Sequence, residues 1–327
     1  MATFGATANL TKKLWSEEVY IAMEKESFFK SNGFIGAGAN SIIQQKTDLT
    51  KSKGDSITVG QVNKLSGAGV TGDSALRGNE EGVTPYDMTV TVDQTRNGIL
   101  LAGKMAEQKM AINMRKTAKD LLKIWLAEFK DLQIFTALCA DITSGRQTLC
   151  SPDHGTEGTL DSSDVVTLSY LRKAKRLAKS ANPKIKPYKF KGKDWYVVAL
   201  HTNQFRDLMD DQAVKDILQN AAPRDYDNNP LFTGANLVLD GMIIYEHENI
   251  RVTTTGAAGM KVGHGLLLGL QAAVEGIAEE AQWNEDDTID YGNQCGFATG
   301  TINGVKRTVF NSKEWGTWKI LSACVDD

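Results

Sequence analysis

The sequence predicts an α+β subunit with projecting segments, and three observations carry that expectation. A long stretch after Gly103 repeats apolar residues at helical spacing. Residues 48–95 alternate like strands at both ends around a glycine-rich middle, and the C-terminal part holds two further strands. A chain of 327 residues, 41% hydrophobic, accommodates about two domains at ~150 residues each and a sizeable core. The formal net charge of -3 does not point to nucleic-acid binding through overall charge.

Residues 1–47 read as an N-terminal arm. Leu14, Trp15, Val19, Met23, Phe28 and Phe29 suggest one amphipathic helix, followed by the hinge-like run Gly33-Phe-Ile-Gly-Ala-Gly-Ala-Asn40. Residues 48–97 read as an extended β-hairpin arm. Ile57 and Val59, then Met88, Val90 and Val92, fall at spacing two. Between them lies a polar stretch within a region holding seven glycines (54, 60, 67, 69, 72, 78, 82). Loops this long usually serve binding or are disordered. An isolated ribbon is marginal in water, so this one is expected to touch a partner surface.

Residues 98–194 form the next unit, with a helix expected over 104–143. No Gly or Pro occurs between Gly103 and Gly145. Leu121, Leu122, Trp125, Leu126, Phe129, Leu132, Phe135 and Leu138 suggest one apolar stripe, with Lys116, Lys119, Asp120, Lys123, Lys130 and Asp131 largely off it. At ~1.5 Å per residue such a helix is roughly 50 Å long. A second helix over 165–181 is ended by Asn182-Pro183. Residues 195–290 hold a strand at 195–200, a helix at 204–221, and strands at 236–239 and 242–245 about the hairpin signal Asp240-Gly241. Residues 263–278 are apolar and fit either strand or helix. Residues 291–327 contribute strands at 297–310 and 315–325.

Four scattered cysteines (139, 150, 295, 324) have neither zinc spacing nor a disulfide framework and suit reduced thiols. The start of the chain lacks the pattern of a secretory signal, and no apolar run suits a membrane span. Chemical motifs are weak. Gly98-Ile-Leu-Leu-Ala-Gly103-Lys104 has phosphate-loop spacing but continues with Met105 where a hydroxyl is needed. Gly67-Ala-Gly69-Val-Thr-Gly72 fits a dinucleotide fingerprint literally, yet nothing helical follows it. Asp225, Asp227 and Asn229 imitate a calcium loop that Pro230 and Asn236 break. Glu246-His247-Glu248 lacks a neighbouring nucleophile. No cofactor or metal is implied.

Charge clustering is more informative. Residues 172–193 carry ten Lys or Arg and no acid; residues 275–290 carry seven acids and no base. Two solvated faces explain this, as does a basic strip of one subunit meeting the acidic strip of another, or touching DNA.

Three groups of short motifs, in order along nearly the whole chain, carry a resemblance. The first is Leu14-Trp-Ser-Glu-Glu-Val-Tyr20 with Lys25-Glu-Ser-Phe-Phe29. The second is Gly54-Asp-Ser-Ile-Thr-Val59, Leu65-Ser-Gly-Ala-Gly-Val-Thr-Gly-Asp73, Gly78-Asn-Glu-Glu81 and Val92-Asp-Gln94. The third is Asn228-Asn-Pro-Leu-Phe-Thr-Gly234, Tyr245-Glu-His247, Asp290-Tyr-Gly-Asn-Gln294, Phe297-Ala-Thr-Gly300 and Val309-Phe-Asn-Ser-Lys313. Together they resemble tailed-bacteriophage major capsid proteins with the Hong Kong 97-like fold.

The resemblance implies an N-terminal arm (1–47), an extended loop (48–97), a peripheral domain on a spine helix (98–194), an axial domain facing the hexamer or pentamer centre (195–290), and C-terminal strands returning to the peripheral domain (291–327). It implies a non-enzymatic protein that assembles in the host bacterial cytoplasm into an icosahedral virion head enclosing double-stranded DNA. Portal, scaffolding and decoration proteins are its expected partners. Trp15, Arg77, Glu80, Glu81, Lys175, Arg176, Lys179, Glu279 and Glu280 are the candidate intersubunit contacts. A cellular nanocompartment shell of the same fold is the alternative within the structural class. A two-domain enzyme using Glu246 and His247 is the alternative outside it.

Overall fold

A computed structural model describes residues 27–50, 53–62, 65, 67–109, 114–142, 145–190, 192–221 and 237–326. Trp15, the helix expected before residue 27 and the turn cluster 228–234 lie outside the described residues.

In chain order, a single turn α1 (Phe28–Ser31) leads to β1 (Ile35–Gly36) and β2 (Ile43–Lys46). The ribbon β3 (Ser56–Val62) and β4 (Pro85–Thr91) follows, then β5 (Asp93–Leu100), α2 (Lys104–Lys109) and the long α3 (Met114–Cys139). Next come β6 (Gln147–Leu149), α4 (Leu168–Ser180), β7 (Tyr188–Phe190) and β8 (Lys193–Leu200). The chain goes on through α5 (Thr202–Asp210), α6 (Gln212–Ala221), β9 (Leu237–Leu239), β10 (Met242–Glu246) and β11 (Val252–Thr253). It closes with β12 (Val262–Leu268), β13 (Ala273–Asp286), β14 (Gly296–Arg307), β15 (Val309–Phe310), β16 (Lys313–Glu314) and β17 (Thr317–Ala323).

Two sheets organise these elements. One runs β1-β2-β13-β14-β5; the other runs β6-β17-β12-β8-β10-β9, with β11 beside β12 and β7 beside β8. The second sheet is covered on both faces, which is why its central strands are continuous apolar runs rather than alternations. Tyr196, Val198 and Leu200 of β8 face Leu168, Leu171, Ala174 and Ala178 of α4. Val197 and Ala199 face Ile134, Phe135 and Leu138 of α3 together with Phe29 and Ile42. Every residue of β12 and β17 is buried.

Turns fall where the chemistry permits them. Asp240 and Gly241 both adopt positive φ (50° and 69°), giving the tight β9–β10 hairpin its sequence predicts. The ambiguous apolar stretch 263–278 is two strands in two different sheets. They are joined through Gly269 and Gln271, the latter at φ 53°.

Several expectations need correction. The helix expected over 104–143 is α2 and α3, the latter of 26 residues and about 39 Å. The helix expected at 204–221 divides into α5 and α6 at Asp211. That carboxylate accepts from the Ala213 amide (3.1 Å) and from the Leu168 amide at the start of α4 (2.8 Å), satisfying otherwise orphaned helix donors. Strands of the expected units 195–290 and 291–327 are shared between sheets: β13 pairs with β14, whereas β17 lies between β6 and β12. Trp318 and Ile320 of β17 complete the core under α4, a burial that sequence separation does not reveal.

Candidate intersubunit surfaces

The ribbon is anchored at one end and open at the other. At its base, Met88 and Val90 pack with Val274 and Phe310, and Val59, Tyr86 and Trp315 lean on them. A side chain at Gly304 would collide with the Thr91 carbonyl (1.9 Å), so glycine lets β14 pass directly against the ribbon base. Toward the tip, Val62, Leu65, Leu76 and Val83 are all more than half exposed. Gly69, Gly72 and Gly78 adopt positive φ with open space around them. Glu81 accepts from the Gly67 amide (2.6 Å) and Glu80 from the Gly78 amide (2.7 Å). Both acids therefore brace the tip's own backbone, while Arg77 stands exposed beside them.

Helix α3 is the second surface, and its amphipathicity differs from the sequence expectation. Leu122, Leu126, Phe135 and Leu138 are buried as expected, but Leu121 and Leu132 are 55% and 51% exposed, and Ile124 joins them at 42%. Lys119, Lys130 and Asp131, expected off the apolar stripe, are buried. Lys130 pairs with the buried Glu275 of β13 at 3.9 Å. Asp131 accepts from the Ser27 hydroxyl (2.8 Å) and the Phe28 amide (2.6 Å). Burial raises its pKa, and those hydrogen bonds oppose the rise. The helix thus turns charge inward and leucine outward.

The charge clusters form the third and fourth surfaces. Lys175, Arg176 and Lys179 line one open groove with Arg172 and Lys184 on the outer side of α4. At its edge the Arg172 guanidinium meets the Asp240 carboxylate and Lys175 donates to the Asp240 carbonyl. Burial and then neighbouring Lys179 hold the Lys175 ammonium below its usual pKa. Glu279 and Glu280 sit where β13 breaks register with β14, between Ile277 and Gln282. Glu279 takes the Gln282 amide, and Glu280 is exposed. Other acids of the cluster are satisfied internally: Glu285 and Asp287 face Arg115 at 2.8 and 3.6 Å. Among the described residues no ion pair joins the basic and acidic clusters within one subunit.

The family described as phage capsid protein matches residues 3–152 and 142–325, nearly the whole chain. The chain belongs to that family. It is 28% identical to the major capsid protein of Pseudomonas phage KPP25 over 94% of this chain and 92% of the relative. The capsid protein superposes on the Ralstonia phage GP4 capsid with a TM-score of 0.78 at 25% identity, covering 100% of this chain and 99% of that one. It superposes on the cyanophage Pam1 capsid asymmetric unit with a TM-score of 0.81 at 24% identity, covering both chains fully. The Hong Kong 97-like α+β fold follows, as does a major capsid protein's role in a self-associating virion shell.

The chemical motifs take bland places in this capsid protein. Gly98 to Leu100 is strand β5 paired with β14, not a phosphate loop, and residues 67–84 hold no helix for a dinucleotide. Glu246 is exposed, whereas His247 is wedged against the rings of Phe28 and Phe135 (4.8 and 4.4 Å). Its Nδ1 accepts from the Asn249 amide at 3.1 Å. Asp164 takes His154 Nδ1 (2.7 Å) and the Asp161 amide (2.9 Å).

One buried polar cluster escaped sequence reasoning. His264, 1% exposed, accepts from Lys319 Nζ at Nδ1 (3.3 Å) and presents Nε2 to Thr253 (3.0 Å) and Glu157 (3.1 Å). Lys319 lies 3.8 Å from Asp141, which also holds Arg251 at 2.9 Å. Burial first, and then Lys319, push the His264 pKa down to about 4, so the ring is neutral with its proton on Nε2. In the sequence, His264 only interrupts an apolar run.

Proposed function

We propose that this capsid protein builds hexamers and pentamers that close an icosahedral head around double-stranded DNA, in the host bacterial cytoplasm and without catalysing a reaction. The observation that carries this reading is the ribbon: its base is packed into the subunit, and its apolar tip has no core of its own to enter. Repeated heterologous contacts either close on themselves or grow without limit, and a closed shell is the bounded outcome. In this reading the five-stranded sheet with α3 is the peripheral domain. The eight-stranded sheet with α4 is the axial domain, each drawing strands from distant parts of the chain.

The ribbon tip lies on a neighbouring copy, with Arg77 at the contact and Glu80 and Glu81 holding the tip's shape. Trp15 belongs to the arm's contact. The groove of Lys175, Arg176 and Lys179 meets the Glu279 and Glu280 bulge of another copy, and DNA is held non-specifically on the inner face. Portal, scaffolding and decoration proteins complete the head. Negative-stain microscopy of the purified protein tests this directly, with closed shells or ring-shaped capsomers expected. Subunits that stay dispersed at every concentration and salt would defeat it. Reversing the charge of Lys175, Arg176 and Lys179 is expected to block assembly; normal shells from that variant would remove the charged contact from the proposal.

A further inference from the structure

The turn between β13 and β14 carries three successive residues at positive φ: Asp290 (49°), Tyr291 (51°) and Gly292 (79°). Side chains other than glycine enter that region at a cost. The turn braces itself: Asn293 Nδ2 donates to the Asp290 carboxylate (3.1 Å) and the Gln294 amide to the Ile289 carbonyl (3.2 Å). The result is a Tyr291 ring held wholly in solvent (105% exposed), beside the exposed carboxylates Asp286, Asp287 and Asp290. Among the described residues Asp290 meets no cation. A tyrosine presented in this way buries a large area once a partner covers it, and such rings anchor protein interfaces. We infer that this turn is a plug for a second copy of the chain. It enters the cleft between that copy's ribbon base, the segment after α4 and the β15–β16 hairpin. The contact rests on the shell reading and adds a named pair of surfaces to it.

The cleft has a volume of about 640 Å³, within the roughly 300–1,000 Å³ of ordinary binding pockets. Tyr86, Phe310 and Trp315 form its aromatic wall, the last two edge to face at 5.9 Å. Lys184, Lys186 and Lys313 stand exposed around it, and no acid lines it. Among the described residues none of these three lysines meets a carboxylate. A ring flanked by carboxylates therefore matches this cleft in both apolar surface and charge. A purely anionic occupant would leave the aromatic wall unused, and a purely apolar one would leave three ammonium groups without a counter-charge. Continuity favours the same occupant. Lys184 also lines the groove of Lys175, Arg176 and Lys179, the proposed seat of Glu279 and Glu280. Those acids lie on β13, the strand that leads into the turn, so a single hairpin of the neighbour can engage groove and cleft together.

Photocross-linking tests it, on full-length protein carrying Tyr291→p-benzoylphenylalanine and purified as shells or capsomers. Links between copies are expected, with the partner peptide in residues 182–186 or 310–315. Adding Lys184→Glu/Lys313→Glu is expected to lower the yield of that link at least tenfold while the subunit melting temperature stays unchanged, since both lysines are exposed. Tyr291→Ala is expected to raise the concentration needed for assembly at least tenfold, again with no change in melting. Assembly of that variant at the unaltered protein's concentration overturns the inference, as do shells in which residue 291 forms no link to another copy. Links to residues 67–84 or 286–292 of another copy overturn it too, making a ribbon tip or a like turn the partner, and leave the shell reading intact. Unaltered protein that never assembles defeats the shell reading and this contact together.

Discussion

The eight-stranded sheet and the ribbon tip are built on opposite principles. In the sheet, β8 and β12 are buried from both faces by α3 and α4, and nearly every large apolar side chain has a partner inside the subunit. At the tip, Val62, Leu65, Leu76 and Val83 stand exposed around glycines at positive φ. Fully burying one such side chain contributes about 1.5–3 kcal/mol, so the tip withholds from the monomer what the sheet spends on it. Subunit stability and shell assembly are therefore separable by mutation.

The largest expected effect falls on the sheet. Phe135→Ala removes a wholly buried ring that touches Phe29 at 4.7 Å and His247 at 4.4 Å. It is expected to cost about 3–5 kcal/mol, read as a large drop in subunit melting temperature. Replacing residues 65–83 by a short turn is expected to leave that melting temperature nearly unchanged while abolishing shells in the microscope. If the tip deletion melted as early as Phe135→Ala, the separation would fail.

Next in size is a pH effect confined to the sheet. The folded-state pKa of His264 is about 4, below the ordinary histidine value of 6.5. The unfolded chain therefore binds the proton more readily between these values. Stability from this residue is fully present above about pH 6.5 and falls as the pH drops toward 4, by about 3 kcal/mol at most. Lys319, Glu157, Arg251 and Asp141 all face the ring, and Lys319 opposes its protonation. Denaturant melts of His264→Gln are expected to lose most of the slope between pH 6.5 and 4. A slope equal to the unaltered protein's would assign the acid sensitivity elsewhere.

The sequence makes the local devices readable and the long-range ones not. The Asp240-Gly241 hairpin, the alternation of Ile57 and Val59 against Met88 and Val90, and the glycine-rich tip are visible because each depends on near neighbours. So is the apolar helix containing Leu126 and Phe135. Sheet membership is not local: β17 joins β12 and β6 because Trp318 and Ile320 fill space under α4. The outward face of α3 was obscured for a similar reason. Periodicity finds one stripe, but only the partners Glu275, Ser27 and Phe28 make it favourable for Lys130 and Asp131 to point inward. Of the candidate contacts, Lys175, Arg176 and Lys179 were found by charge clustering and do share a groove. Glu80 and Glu81 turn out to serve the tip's backbone.

Between the two extremes stands Asp131, part of the core and the acceptor that fixes Ser27 and Phe28 to α3. Asp131→Ala leaves the Ser27 hydroxyl and Phe28 amide without their acceptor. The expected loss is about 1–3 kcal/mol, and limited proteolysis is expected to cut before residue 28 much faster than in the unaltered protein. Asp131→Asn keeps one acceptor oxygen and removes a charge that burial already disfavours, so it is expected to retain most of that protection. If the two substitutions were equally damaging, the carboxylate's charge would matter more than its geometry, and the anchor would have to be electrostatic.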